Sequence, residues 1–300
     1  MSNLLKIAGF VFTLILSIQG YGQTYNAKLV DAVTHAPVAF ANIGILESET
    51  GTNSSEDGSF SLQIPDELQS KTLSIFLIGY EDYKISVNDF IAKAKSTNNT
   101  IVLNKKEATL KEVIVKPAKL TLAHLGNDIH CKDENGLPVP YVFEEKKKKS
   151  GKVKREADTL TEVGTLMKVR GKKTFIDSIA VNVGRCTYPE ILYRINIYEL
   201  INGKPKIILN EPIYVRKSKN DIGKTLIVDV TDRNLVVDNN FVVSIEQIKN
   251  LGEGEFSICG SLAGAASYWR IASRQGDLMK IPLISFGISA FVTFSEEIKK

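Results

Sequence analysis

The feature that most restricts this chain is a period of two. Apolar side chains alternate with polar or small ones in short runs, and turn residues separate the runs. A strand points successive side chains to opposite faces, so such runs make half-buried β-strands. Between Pro37 and Tyr80, Ala41, Ile43 and Ile45 share one face, Phe60 and Leu62 share another, and Leu73, Ile75 and Leu77 a third. Asp57-Gly58 supplies the positive φ of a tight turn, and Gly79 lets the chain bend before Tyr80, whose ring can close one end of a small sandwich. The same alternation returns at Phe175–Val183, Tyr193–Tyr198, Leu226–Val230, Phe241–Glu246, Phe256–Cys259 and Phe286–Phe294, with a hairpin turn at Asn202-Gly203. About eight evenly spaced strands predict a second, jelly-roll-like β-sandwich. Ile91–Lys95 reads as a short helix or a loop, and no helix longer than two turns is expected in Thr159–Lys300.

The first region resembles the carboxypeptidase-regulatory-like domain, a prealbumin-type β-sandwich common in exported and outer-membrane proteins of Bacteroidota. The resemblance rests on Leu29-Val30-Asp31, Pro37–Ile45, Gly51–Leu62 and Ile78-Gly79-Tyr80, and covers Thr24 to Leu103. Asn26 and Ser55-Glu56-Asp57 depart from the family pattern at edges and turns. The resemblance implies an accessory module with no peptidase activity. The fold class expected is therefore all-β, with an N-terminal prealbumin-like β-sandwich followed by a second, jelly-roll-like one.

The expected divisions are a signal peptide over 1–22, the first sandwich over 23–104, a basic connector over 105–158 and the second sandwich over 159–300. Lys6 is a positive n-region, Ile7–Ile18 an apolar core, and Gly20-Tyr21-Gly22 small residues at a cleavage site. That core is short for a membrane span. The connector holds Leu110–Pro117, which is similar to the segment that follows this domain in TonB-dependent receptors, and a basic run from Lys146 to Arg155. No plug motif follows, so lineage and compartment are implied and transport is not. The run reads as a solvated linker, with attraction to lipid headgroups or acidic glycans as the alternative. A net charge of +4 over 300 residues gives no argument for nucleic acid.

Three cysteines, Cys131, Cys186 and Cys259, are odd in number and widely spaced. Three separate thiols are the favoured reading, and a Cys186–Cys259 bridge is the alternative. The histidines lack zinc-ligand spacing: His35, His124 and His130 are followed three residues on by Val38, Asn127 and Asp133. No serine-nucleophile elbow or phosphate loop occurs in the sequence. His124, His130, Cys131 and Asp133 lie close together, but in no tight metal motif.

The sequence thus predicts a non-enzymatic envelope protein that binds or scaffolds, without cofactor or metal. Its partner is an unidentified envelope protein or glycan, and peripheral association with the outer membrane is open. Location is expected in the periplasm, outer membrane or cell surface. One alternative is a glycan-binding accessory whose second sandwich offers Tyr188, Tyr268 and Trp269 as a stacking platform, with Arg270 adding hydrogen bonds. Another is a hydrolase whose site is assembled from distant carboxylates.

Overall fold

The structure is a computed structural model describing residues 22–97, 99–107, 120–131, 161–169, 172–262, 264–271 and 277–295. The expected signal segment, Leu110–Pro117, the Lys146–Arg155 run and Asp133 lie outside the described residues, apart from Gly22.

The first sandwich contains β1 (Gln23–Asp31), β2 (Asn42–Ile45), β3 (Gly51–Asn53), β4 (Ser59–Ile64), β5 (Thr72–Phe76), β6 (Tyr83–Ser86), α1 (Val87–Lys95) and β7 (Thr100–Leu103). Its sheets run β4-β1-β7 and β3-β2-β5-β6. Only β1 with β7 is parallel; every other pair is antiparallel. Tyr25, Ala27 and Leu29 of β1 meet Ile43, Ile45, Leu73 and Ile75 in one core. α1 starts four residues before the expected Ile91. Ser86 accepts a hydrogen bond from the Asp89 N–H at 3.1 Å and caps the helix. Val87, Phe90 and Ile91, spaced one helical turn apart, are its buried stripe.

The second sandwich contains β8 (Thr121–Gly126), β9 (Thr161–Met167), β10 (Lys172–Cys186), β11 (Glu190–Ile201), β12 (Lys204–Ile207), β13 (Ile213–Ser218), β14 (Thr225–Asp229), β15 (Leu235–Val237), β16 (Phe241–Leu251), β17 (Phe256–Ile258), β18 (Gly260–Ser261), β19 (Ser267–Ile271), β20 (Met279–Ile281), β21 (Ser285–Phe286) and β22 (Ile288–Ser295). One sheet runs β14-β10-β22-β8, with β15 and β17 also on β10; the other runs β12-β11-β16-β9-β19-β20, with β13 also on β11. The consecutive strands β10 and β11 lie in different sheets, and β10 pairs with the last strand, β22, in jelly-roll fashion. Asn202 (φ 52°) and Gly203 (φ 76°) make the β11–β12 turn with both central residues at positive φ, as the Asn-Gly pair predicts.

Two findings depart from the sequence reading. Thr121–Gly126, within the expected connector, is β8 and pairs with β22. Its Thr-Leu-Ala-His-Leu-Gly sequence has only two aliphatic side chains beyond alanine, too few to stand out as a periodic run. The second finding concerns the cysteines: Cys131 and Cys259 form a disulfide, and Cys186 is the free thiol. The Cys186–Cys259 alternative fails because Cys186 packs towards the sandwich core, with its thiol against the Tyr188 carbonyl. Segment 127–131 instead lies beside Cys259. Asn182 donates to the Ile129 carbonyl at 3.0 Å, and Asn127 donates to the Phe286 carbonyl at 3.2 Å.

Candidate functional site

A buried group of ionisable side chains sits on the outer face of the larger sheet in the second sandwich. Alternation puts Tyr193, Ile195 and Ile197 of β11 into the core between the sheets, so Arg194, Asn196 and Tyr198 face outward. Register then aligns one row across four strands. Arg194 lies opposite Glu246, Glu246 opposite Glu162, and Glu162 opposite Arg270. Arg194, Glu246 and Glu162 are 0% exposed, and the Arg270 side chain is 15% exposed.

Two arginines flank two glutamates, and every carboxylate oxygen has a donor. Glu246 accepts from Arg194 Nε and Nη2, both at 2.9 Å, from Asn196 Nδ2 at 2.8 Å and from Asn42 Nδ2 at 2.7 Å. Glu162 accepts from Asn196 Nδ2 at 2.9 Å, from the Tyr198 hydroxyl at 2.9 Å, and from Ser244 and Arg270. Asn196 therefore bridges the two carboxylates. Burial alone would raise the Glu246 carboxyl, but Arg194, Arg270 and the amides of Asn196 and Asn42 outweigh it and hold the group below its ordinary value. Burial, first, pushes the Tyr198 hydroxyl well above the usual tyrosine range, so it stays a donor.

The first sandwich covers the Arg194 end of this row. Arg194 donates to Asn42 Oδ1 at 2.9 Å and to the Phe40 carbonyl at 3.2 Å. Phe40 adopts a left-handed φ of 59°, uncommon for a bulky residue. Asn53 donates to the Ile248 carbonyl at 3.1 Å, the Phe40 and Tyr214 rings meet edge to face at 5.3 Å, and Arg216 ties Glu56 to Glu190. Ile78 of the Ile-Gly-Tyr turn packs into the core of the second sandwich. Gly79 (φ 87°) passes so close to the partner domain that a Cβ there would lie 2.7 Å from the Asn210 carbonyl oxygen. Tyr80 turns back and donates to Asp31 at 3.0 Å. A fully paired, sealed row of this kind is suited to joining two domains. Neither carboxylate offers an exposed oxygen to a substrate, and no group of three metal-ligating side chains occurs among the described residues.

The residues expected to form a stacking platform are separated. Tyr188 is buried against the core between the sheets. Tyr268 is buried in a small outer cluster with Tyr198, Val242 and Leu278. Trp269, its neighbour on β19, packs from the other side of the sheet against the main core. Arg270 shares the outer face with Tyr268 and is engaged by Glu162 and the Tyr198 hydroxyl. His124 stacks on Phe291 with centroids 4.3 Å apart, and His130 pairs with Asp128 at 2.9 Å. The sequence reading missed Arg194, Glu246, Glu162, Asn196 and Asn42. The signal present was charge on strands whose alternate residues are all aliphatic, as in Arg194-Ile195-Asn196-Ile197 and Ser244-Ile245-Glu246.

Fold and network together define an all-β protein of two joined sandwiches. Residues 26–115 match the family model of the CarboxypepD_reg-like domain. No curated protein sequence matches the chain. Among solved structures, the cysteine protease and lectin-like domains of Cwp84, a surface layer associated protein of Clostridium difficile, align at 11% identity and a TM-score of 0.35, over 46% of this chain and 32% of that one. A structure of infectious bursal disease virus Gx strain aligns at 9% identity and a TM-score of 0.27, over 90% of this chain and 62% of that one. The chain thus spans less than two thirds of either, and likenesses this shallow carry no functional information.

Proposed function

We propose that this chain is a non-enzymatic binding or scaffolding protein of the bacterial envelope, in which the first sandwich is mounted rigidly on the second. The observation that carries this reading is the sealed Arg194–Glu246–Glu162–Arg270 row, whose charges are spent on one another and on Asn42 of the first sandwich. A joint of this kind holds two surfaces at a fixed angle, which is what a scaffold requires. Placement in the envelope is supported by the Cys131–Cys259 disulfide, since such bonds persist in oxidising compartments. The basic n-region and apolar core at Lys6–Ile18 point the same way.

The test is crosslinking of the full chain in native envelopes, followed by identification of its adducts and of the redox state of Cys131 and Cys259. A reproducible adduct and an oxidised pair are expected. A cytosolic chain with both thiols reduced would remove the envelope assignment. Turnover of generic ester, peptide or glycoside substrates by purified protein would remove the non-enzymatic one.

A further inference from the structure

The two cysteines of the disulfide differ in access. Cys259 follows β17 and is 2% exposed. Its N–H donates to the Asn182 carbonyl at 2.8 Å, and its carbonyl accepts from the Gly287 N–H at 2.6 Å. Cys131 is partly exposed. It ends a segment whose Asp128 and His130 side chains are each 56% exposed, so the segment borders solvent. A Cβ at Gly184 of β10 would lie 3.3 Å from Cys131 Sγ, so this sulfur rests on bare backbone with no side chain to shield it there. Asn182 fixes the segment by donating to the Ile129 carbonyl at 3.0 Å and to Asp128 at 3.2 Å, and the Asn127 N–H donates to the Ile288 carbonyl at 3.0 Å. None of these contacts involves a sulfur. The fold itself therefore sets the two Cα atoms 5.4 Å apart, inside the range that a disulfide spans. The Cys131 N–H also donates to Cys259 Sγ at 3.0 Å. Cys186 packs against the core between the sheets, and burial, the largest influence on it, pushes its thiol above the ordinary cysteine value.

We propose that this bond exchanges with external thiols and disulfides through Cys131, and that Cys259 is the resolving sulfur. In the forming direction, the Cys131 thiolate attacks one sulfur of an external disulfide. A mixed disulfide forms at Cys131, the external S–S bond breaks, and the departing sulfur takes up a proton. The Cys259 thiol then gives its proton to solvent and attacks Cys131 Sγ. The Cys131–Cys259 bond forms, the mixed disulfide breaks, and the second external sulfur is protonated. Two cysteine thiols have lost two electrons, and one external disulfide has become two thiols. In the reverse direction, an external thiolate attacks Cys131 and expels Cys259 as a thiolate. The Cys131 N–H is already placed to stabilise that thiolate with a charge-assisted hydrogen bond. Access and leaving-group stability thus select the same sulfur. The proposal rests on the envelope reading for its supply of oxidant, and deepens it by naming the residue that an exchange partner meets.

The test treats the full, oxidised chain with reduced glutathione, stops the reaction early with acid, and maps the adduct by mass spectrometry. Glutathione should fall on Cys131 in preference to Cys259 by more than about tenfold, since exchange follows access to the sulfur. The same reaction in concentrated urea should lose that preference, because only the fold creates it. In the forming direction, the reduced chain given oxidised glutathione should close Cys131–Cys259 and leave Cys186 outside the bond. C259S should instead retain glutathione on Cys131. An adduct chiefly on Cys259, an equal split in the folded chain, a preference that survives urea, or a reduced chain that pairs Cys186 with either partner each overturns the proposal. These measurements need only purified protein, so their failure leaves the envelope assignment standing. A reduced Cys131–Cys259 pair in native cells removes that assignment and leaves the exchange chemistry intact.

Discussion

Replacing Arg194 with methionine tests whether the buried row joins the two sandwiches. The substitution keeps a long apolar stem but removes the hydrogen bonds to Glu246, Asn42 and the Phe40 carbonyl. Glu246 would then keep its charge in a site that is 0% exposed, with only the Asn42 and Asn196 amides as direct donors. Breaking a buried pair from one side costs about 3–5 kcal/mol, because an uncompensated charge remains. Removing both charges in R194M/E246L takes away that charge and leaves polar groups of Asn42 and Asn196 unsatisfied, at about 1–3 kcal/mol each. The double variant should therefore lose about as much as R194M alone, well short of the sum of the two single losses, so the single effects should be strongly non-additive. Urea unfolding would be followed by fluorescence of Trp269, the single tryptophan, which reports on the second sandwich, and by far-ultraviolet circular dichroism, which reports on both. Wild type should show coincident transitions. R194M should unfold at lower urea and separate the two signals. A loss under about 1 kcal/mol, or simple additivity with E246L, would refute the joint as a coupled unit.

Three further outcomes follow from the geometry. G79A should cost about 1–3 kcal/mol, from a strained backbone and contact with the Asn210 carbonyl, and should also loosen the domain joint, read as faster hydrogen exchange at Asn42 and Asn53. Acid should weaken the fold. Asp31 is held below its ordinary 3.8 first by the Thr34 N–H, then by the Val33 N–H, the Thr34 hydroxyl and the Tyr80 hydroxyl. A depressed folded value means this contribution is complete above the unfolded value and is lost as pH falls through the folded one. Wild-type stability should therefore decline below about pH 4, and the D31N profile should be flatter there. C131S/C259S should lose up to about 5 kcal/mol on the chain-entropy account of a loop this long, seen as a lower urea midpoint; an unchanged midpoint would mean the bond constrains nothing.

How far the sequence could be read depended on what each signal depends on. Local alternation depends only on neighbouring residues, so Leu73-Ile75-Leu77 and Phe241–Glu246 were legible as strands, and Asn202-Gly203 as a turn. β8 was not, because its membership of the sheet comes from pairing with β22, which is remote in sequence. The joint was hidden for a related reason. An outward residue on an antiparallel sheet ordinarily meets water, so nothing local marks Arg194 and Glu246 as buried. Only the arrival of Asn42 and Phe40 from another domain makes that face an interior. Tyr188, Tyr268 and Trp269 were noticed for their ring type, but ring type does not say on which side of a sheet a ring lies, and adjacent strand positions must diverge. Gly79 was legible as a bend, while its close approach to Asn210 was not, since nothing local encodes a remote neighbour.

The Cys131–Cys259 bond has a consequence for the chain as a covalent object. It closes a ring by joining residues 128 apart in sequence, from five residues after β8 to the residue just after β17. A single peptide cut anywhere inside that ring opens the ring without releasing a fragment. A nick introduced at the Lys146–Lys149 run would leave everything before it, the first sandwich included, attached to everything after it. The two pieces would migrate together until a reductant is added. While the bond stays oxidised, backbone scission at an internal position of the ring is a covalently silent event.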